Sequence, residues 1–215
     1  ISEAIMDPFL CLKHTYQVDD GLAKLILEKG KVKSVKKGSF LYYQDEWSDF
    51  IAMPISGIFG IFPTSNNSHF TFYNLITPGI IVNEVQYLLE GGSHTDVKAI
   101  TDSMVIILPF FVVKQLIELA PDFLLMLSKS LAKKQRFSHT LFHLRAEKDA
   151  YLKVTGALKA ISDVTEDGHI PLNIIALASL LSMSRNVVGK EIKRLIALGV
   201  ITKKLLGYRL NSSVP

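Results

Sequence analysis

Residues 173–199, NIIALASLLSMSRNVVGKEIKRLIALG, hold two short helical patterns separated by Ser182-Met183-Ser184. Asn173 can cap the first, Ile174 to Leu181, by accepting from a backbone N–H that an opening turn leaves unpaired. Apolar residues on every side of this helix suit one enclosed by others. Ser184 can cap the second, Arg185 to Leu198, and Gly199 supplies the C′ position at which helices end. On this second helix Ile192, Leu195, Ile196 and Leu198 form the expected core set, while Arg185, Asn186, Gly189, Lys190, Lys193 and Arg194 fall largely on other faces. The pattern predicts a helix-turn-helix. Val200 to Lys203 and Tyr208 to Leu210, flanking a turn at Leu206-Gly207, predict a small β wing behind it. Arg, Asn and Lys reach base edges and phosphates, and Gly189 removes bulk where a backbone approaches closely.

Charge points the same way. The 215-residue chain carries 24 basic and 20 acidic side chains, but residues 168–215 hold seven basic residues against the single acid Glu191. A net +6 in that span suits a polyanionic partner, and Lys193, Lys203 and Lys204 are expected to serve phosphates. An ordinary solvated lysine face would have the same composition.

Upstream, residues 32–109 are short β-branched and aromatic runs broken by Gly, Pro, Asn and Ser. Val32 to Val35, Phe40 to Gln44, Phe50 to Pro54, Gly57 to Phe62, His69 to Ile76, Asp96 to Thr101 and Met104 to Leu108 read as strands of an antiparallel sandwich or roll. Thr64 to Ser68 reads as a hairpin loop. After Pro109 the period becomes helical. A second helix restarts at Pro121 and runs to about Glu147 with no further Gly or Pro. Leu124, Leu127 and Leu131, continued by Lys134, Ser138 and Leu141, keep a 3,4 spacing, and a helix of this length needs a second subunit to cover part of its apolar face. A further helix is expected over Asp149 to Ser162, then an acidic connection from Asp163 to Pro171.

These residues resemble a known family. Leu177 to Lys190 is similar to the DNA-reading half of the bacterial CRP/FNR transcription regulators. Lys37 to Gln44, Ile55 to Ile61, Thr77-Pro78-Gly79, and Leu108-Pro109 followed by Ala120-Pro121-Asp122 are similar to successive landmarks of the same family. The resemblance covers nearly the whole chain. It implies an α+β protein with a cyclic-nucleotide-binding-like antiparallel β-roll over 1–120, a dimerisation helix over 121–148 and a winged helix-turn-helix over 149–215. It implies a homodimer reading palindromic double-stranded DNA, with a small-molecule effector and RNA polymerase as further partners. Carried over residue by residue, Ser184 falls on a phosphate-contacting cap, Arg185, Asn186 and Lys190 on base readers, and Asp149 on the hinge. The effector pocket falls on Phe70, Phe72, Asn83, Glu84, Ser93, His94, Thr95, Ser138 and His139.

The departures are chemical. Glu84 is kept, but Ser93-His94-Thr95 stands where cyclic-AMP-binding members place Arg-Ser, so no guanidinium neutralises a phosphate and cyclic AMP is not the expected ligand. One cysteine, Cys11, excludes a four-thiolate cluster and suits a reducing compartment, so a cytoplasmic location is expected. No signal peptide is read at the N-terminus, and the longest apolar run, Met104 to Val113, is broken by Pro109 and too short for a membrane span. His139 and His143 lack a carboxylate motif, so neither metal nor cofactor is expected. No nucleophile stands beside a base, and no enzyme is expected. The competing reading is a nucleotide-sensing or protein-interaction module whose winged helix mediates assembly.

Overall fold

The structure, a computed structural model, describes residues 7–63, 72–93, 95–165 and 168–211. The expected Thr64–Ser68 hairpin lies outside the described residues, as do Phe70 and His94. The chain divides into two compact units, residues 1–64 with 75–135, and residues 65–74 with 136–215.

The first unit opens with two helices for which no strand pattern prepares, α1 (Pro8–His14) and α2 (Asp20–Lys29). Asp7 and Asp19 cap them, accepting from Phe9 N–H at 2.8 Å and Leu22 N–H at 2.7 Å. The roll follows: β1 (Lys31–Val35), β2 (Phe40–Tyr42), β3 (Phe50–Ser56), β4 (Phe59–Phe62), β5 (Asn74–Ile76), α3 (Glu84–Leu89), β6 (Asp96–Ala99) and β7 (Ser103–Pro109). One sheet has the order β1-β7-β3 and the other β2-β6-β4-β5, and β1–β7, β3–β7, β2–β6 and β4–β6 pair antiparallel. Strand β5 is shorter than the expected His69 to Ile76, of which residues 69–71 are not described.

Alternation explains why β3 and β7 read as nearly unbroken apolar runs. Ile51, Met53 and Ile55 of β3, with Ile106 and Leu108 of β7, join a core with Leu12, Ile26, Leu116 and Phe123 from the helices. The intervening Ala52 and Val105 face a second core with Tyr42, Phe59, Ile61, Ile76 and Val97. Both faces of the strand pair are therefore covered, and the polar half of a period-two pattern disappears. Pro54, which has no N–H to give a ladder, sits where the β3–β7 register shifts.

Helix α4 (Phe110–Leu119) follows β7 directly, with Pro109 as its N-cap, and α5 (Asp122–Ala146) begins one residue after Pro121. The 3,4 stripe seen in the sequence largely packs on the helix's own chain. Leu127 and Leu141 are buried and Leu131, Lys134 and Ser138 half-buried, and only Leu124 is open. A different row, Leu125, Ser128, Ala132, Gln135, His139, Phe142 and Ala146, is the exposed one.

The second unit contains α6 (Ala150–Ser162), β8 (His169–Ile170), α7 (Ile174–Leu181), α8 (Arg185–Ala197), β9 (Ile201–Lys203) and β10 (Tyr208–Leu210). Asp149 caps α6 by accepting from Leu152 N–H at 2.9 Å. The residues read as a plain connection contain β8, which pairs with β10 and completes a three-stranded wing of order β8-β10-β9.

Candidate nucleic-acid interface

The helix-turn-helix is built from local capping. Asn173 Oδ1 accepts from Ala176 N–H at 2.9 Å and Ser184 Oγ from Val187 N–H at 3.3 Å. Between the helices Ser182 takes a left-handed conformation (φ 54°), and Met183 N–H returns to Ala178 O at 2.9 Å. Leu177, Leu180 and Leu181 of α7 are fully buried, with Val188 and Leu195 of α8, beside Val154, Leu158 and Ile161 of α6. The enclosure of α7 is incomplete, because Ile175 is 44% exposed. Ile196 (38%) and Leu198 (60%) also lie open rather than in the expected core set, because the buried stripe of α8 runs Val188, Glu191, Ile192, Leu195.

The opposite side of α8 carries Arg185, Asn186, Lys190 and Lys193, all exposed. Asn186, Lys190 and Lys193 recur at i, i+4 and i+7, so they form one row along the helix, with Arg185 beside its start. Ser184 at the cap is exposed as well. Among the described residues no ion pair engages these cations. Arg194 behaves differently. Its guanidinium lies 4.6 Å from the Tyr151 ring centre and 3.6 Å from the buried Glu191 carboxylate, so it is bound into the fold. Gly189 is half-buried beside Ile174, where a β-carbon would sit at an ordinary 3.8 Å from Cδ1, so no close approach within the chain itself requires a glycine here. Lys203 and Lys204 stand exposed on the wing.

One positioning residue has no signature in the sequence. Arg145, in the last turn of α5, donates from Nε (2.9 Å) and Nη2 (2.7 Å) to Leu180 O at the C-terminal end of α7, and from Nη2 to Tyr73 O at 2.6 Å. A cation on these last carbonyls complements the negative end of the helix dipole. Burial lowers the guanidinium pKa, although arginine stays charged at physiological pH.

The residues assigned to an effector pocket fall in both units. In the first, Asn83 is buried in a left-handed conformation and donates from Nδ2 to Phe50 O (2.8 Å) and Ser48 O (3.3 Å). Glu84 is completely buried and its Oε1 pairs with Lys134 of α5. Ser93 Oγ donates to Thr95 O at 2.9 Å. In the second unit, buried Phe72 donates its N–H to Ser179 Oγ at 3.0 Å, Ser138 Oγ accepts from Asn74 Nδ2 at 2.7 Å, and His139 is exposed. Lys134, the partner of Glu84, was not among the site residues singled out from the sequence. A lysine in a mostly inward-facing stripe was its only signal, since an ammonium drawn largely out of water needs a carboxylate. Among the described residues no group of three His, Cys, Asp or Glu could hold a metal, and no helix is long and apolar enough to cross a membrane.

Comparison with known proteins matches residues 32–119 to the cyclic nucleotide-binding domain family. No curated protein sequence matches the chain. Solved structures match over its length. The c-di-GMP-responsive global regulator CLP of Xanthomonas campestris is 17% identical with a TM-score of 0.72, over 91% of this chain and 100% of that one. FixK2 of Bradyrhizobium japonicum is 16% identical with a TM-score of 0.71, over 85% and 93%. A CRP-family transcriptional regulator of Thermus thermophilus is 15% identical with a TM-score of 0.67, over 83% and 91%. With a cyclic nucleotide-binding domain over residues 32–119, a long helix and a winged helix-turn-helix behind it, the chain has the fold of the CRP/FNR family of transcription regulators.

Proposed function

We propose that this protein is a sequence-specific DNA-binding transcription regulator that works as a homodimer, with a sensory roll over residues 1–120, a dimerisation helix over 121–148 and a DNA-binding domain over 149–215. The observation that carries the reading is the exposed row Arg185, Asn186, Lys190 and Lys193, with no ion pair to it among the described residues while Arg194 and Glu191 answer each other. A surface that served only to solvate the helix would gain from acids spaced among the cations, and this row has none. Arg185 reads a guanine edge, Asn186 and Lys190 contact bases, and Ser184, Lys193, Lys203 and Lys204 hold phosphates. Selection from a random duplex pool gives the operator. On it Arg185→Ala should cost about 1–3 kcal/mol and relax one base position. Lys203→Ala and Lys204→Ala should weaken all duplexes alike, each lowering the salt slope by about one. Equal losses for Arg185→Ala on operator and random DNA would remove it from base reading.

The exposed row of α5 from Leu125 to Ala146 alternates steps of three and four, the spacing of a two-helix seam. A dimer along it sets two recognition helices roughly 34–36 Å apart, matching half-sites about 10 base pairs apart. Sedimentation should give a dimer at micromolar concentration, and Leu125→Glu with Phe142→Glu a folded monomer. A monomeric wild-type chain, with and without operator, contradicts the seam.

The effector-sensing role belongs to the roll, through Asn83, Glu84, Ser93 and Thr95. A cyclic nucleotide suits them poorly, because the Glu84 carboxylate is already held by Lys134 and no arginine stands at the Ser93–Thr95 step. A weakly charged ligand fits better.

A further inference from the structure

The wing ends in a feature that phosphate contacts do not explain. Its tip is Leu205, completely exposed, followed by Leu206 at 55%, directly after Lys203 and Lys204. The tip is tied back to the wing at several points. Lys204 N–H closes the turn on Gly207 O at 3.0 Å, His169 Nε2 meets Leu206 O at 2.5 Å, and β10 is paired on both sides. Leu205 forms one edge of an open groove of about 360 Å³ whose other walls include Asn173, Ile174, Ile175, Lys203, Lys204 and Tyr208, with no acid among its lining residues. A leucine held fully in water by a hydrogen-bonded turn, beside paired lysines and a groove of mixed lining whose apolar wall is Ile174, Ile175 and Tyr208, fits a partner that is polyanionic outside and apolar within.

We infer that the wing tip is a wedge for the DNA minor groove, a reading that rests on the DNA-binding function proposed above. With α8 in the major groove, the wing lies against the flanking backbone. Lys203 and Lys204 then meet phosphates, the apolar faces of the sugars lie along Ile174 and Ile175, and Leu205 presses between base pairs of the adjacent minor groove. Apolar wedges of this kind unstack one step and kink DNA toward the major groove by roughly 20–90°. Pyrimidine–purine steps unstack most easily, so the wedge confers a preference for TA or CA at a position that no side chain reads through hydrogen bonds.

The test compares the wild-type protein with Leu205→Ser and Leu205→Met on duplexes carrying the selected operator flanked by TA or by GC steps. Affinity is read by fluorescence anisotropy and bend by energy transfer between the duplex ends. Leu205 is fully exposed, so unchanged melting is the control for folding. The wild type and Leu205→Met should bend the TA-flanked duplex more and bind it about tenfold more tightly than the GC-flanked one, and Leu205→Ser should lose both differences. Unchanged bend and flank preference in Leu205→Ser overturns the wedge and leaves the DNA-binding reading intact. A uniform loss at every flank makes Leu205 a general backbone contact and also overturns it. Failure of the wild type to bind any duplex overturns the underlying reading itself.

Discussion

Lys134→Met should lower the melting temperature of the roll by roughly 10 °C or more, corresponding to about 3–5 kcal/mol. Glu84 is 0% exposed, and the Lys134 side chain that meets its Oε1 is only 18% exposed, so solvent does little to screen the pair. The second carboxylate oxygen, Oε2, has no hydrogen-bond partner among the described residues. Removing the ammonium therefore leaves a charge in the core with no compensation, and the cost is the desolvation that the pair had offset. The same physics predicts the rescue. Lys134→Met combined with Glu84→Gln should recover most of the loss, because a neutral amide costs far less to bury than an unpaired carboxylate. A single variant that melts within a degree or two of the wild type would show that the carboxylate finds water or another cation instead.

Gly207→Ala should disrupt the wing and, with it, binding to every duplex. Gly207 has φ 90°, and a β-carbon there would lie 1.9 Å from Ile170 O, 2.9 Å from Ile170 C and 3.0 Å from Leu172 N. All three are backbone atoms, so no rotamer change relieves the collision. Either Tyr208 and Ile170 lose their pairing or the turn moves away from His169. Gly199→Ala separates the two causes. Gly199 also has positive φ, 67°, but nothing among the described residues stands within 4 Å of a β-carbon there. That variant should cost about 1 kcal/mol, the left-handed penalty alone, while Gly207→Ala should cost well beyond it. Amide exchange at Tyr208 and Arg209 reads the difference directly. Equal protection in both variants would mean that the wing absorbs the methyl group by a small shift.

The helix-turn-helix was legible because its information is local. Asn173, Ser184 and Asp149 each cap a helix through a backbone N–H three residues on, a distance at which sequence spacing and spatial proximity are the same thing. The strands of the roll were legible for a related reason, as β-branched runs punctuated by turn residues. Their ends were less so: β2 stops at Tyr42 rather than Gln44, because Gln44 N–H turns to Asp96 Oδ1 at 2.7 Å instead of continuing a ladder. The exposure of Ile196 and Leu198 was not legible either. Apolar identity marks a residue as able to be buried, and whether a neighbour arrives to cover it is decided elsewhere in the chain.

Side chains acting within a few residues of themselves thus set where helices and strands begin and which turn joins α7 to α8, and composition made the C-terminal segment cationic. Which charges would be used inside the fold was a matter of packing between distant elements. That packing sent Lys134 to Glu84, 50 residues away, and Arg145 to Leu180, 35 residues away, and it stacked Arg194 on Tyr151 while leaving Lys190 and Lys193 to solvent. A lysine or arginine has the same spacing and composition in either role. Only the arrival of a remote element fixes whether a counter-charge or a carbonyl lies within reach, because a long flexible side chain takes whichever partner the fold brings to it.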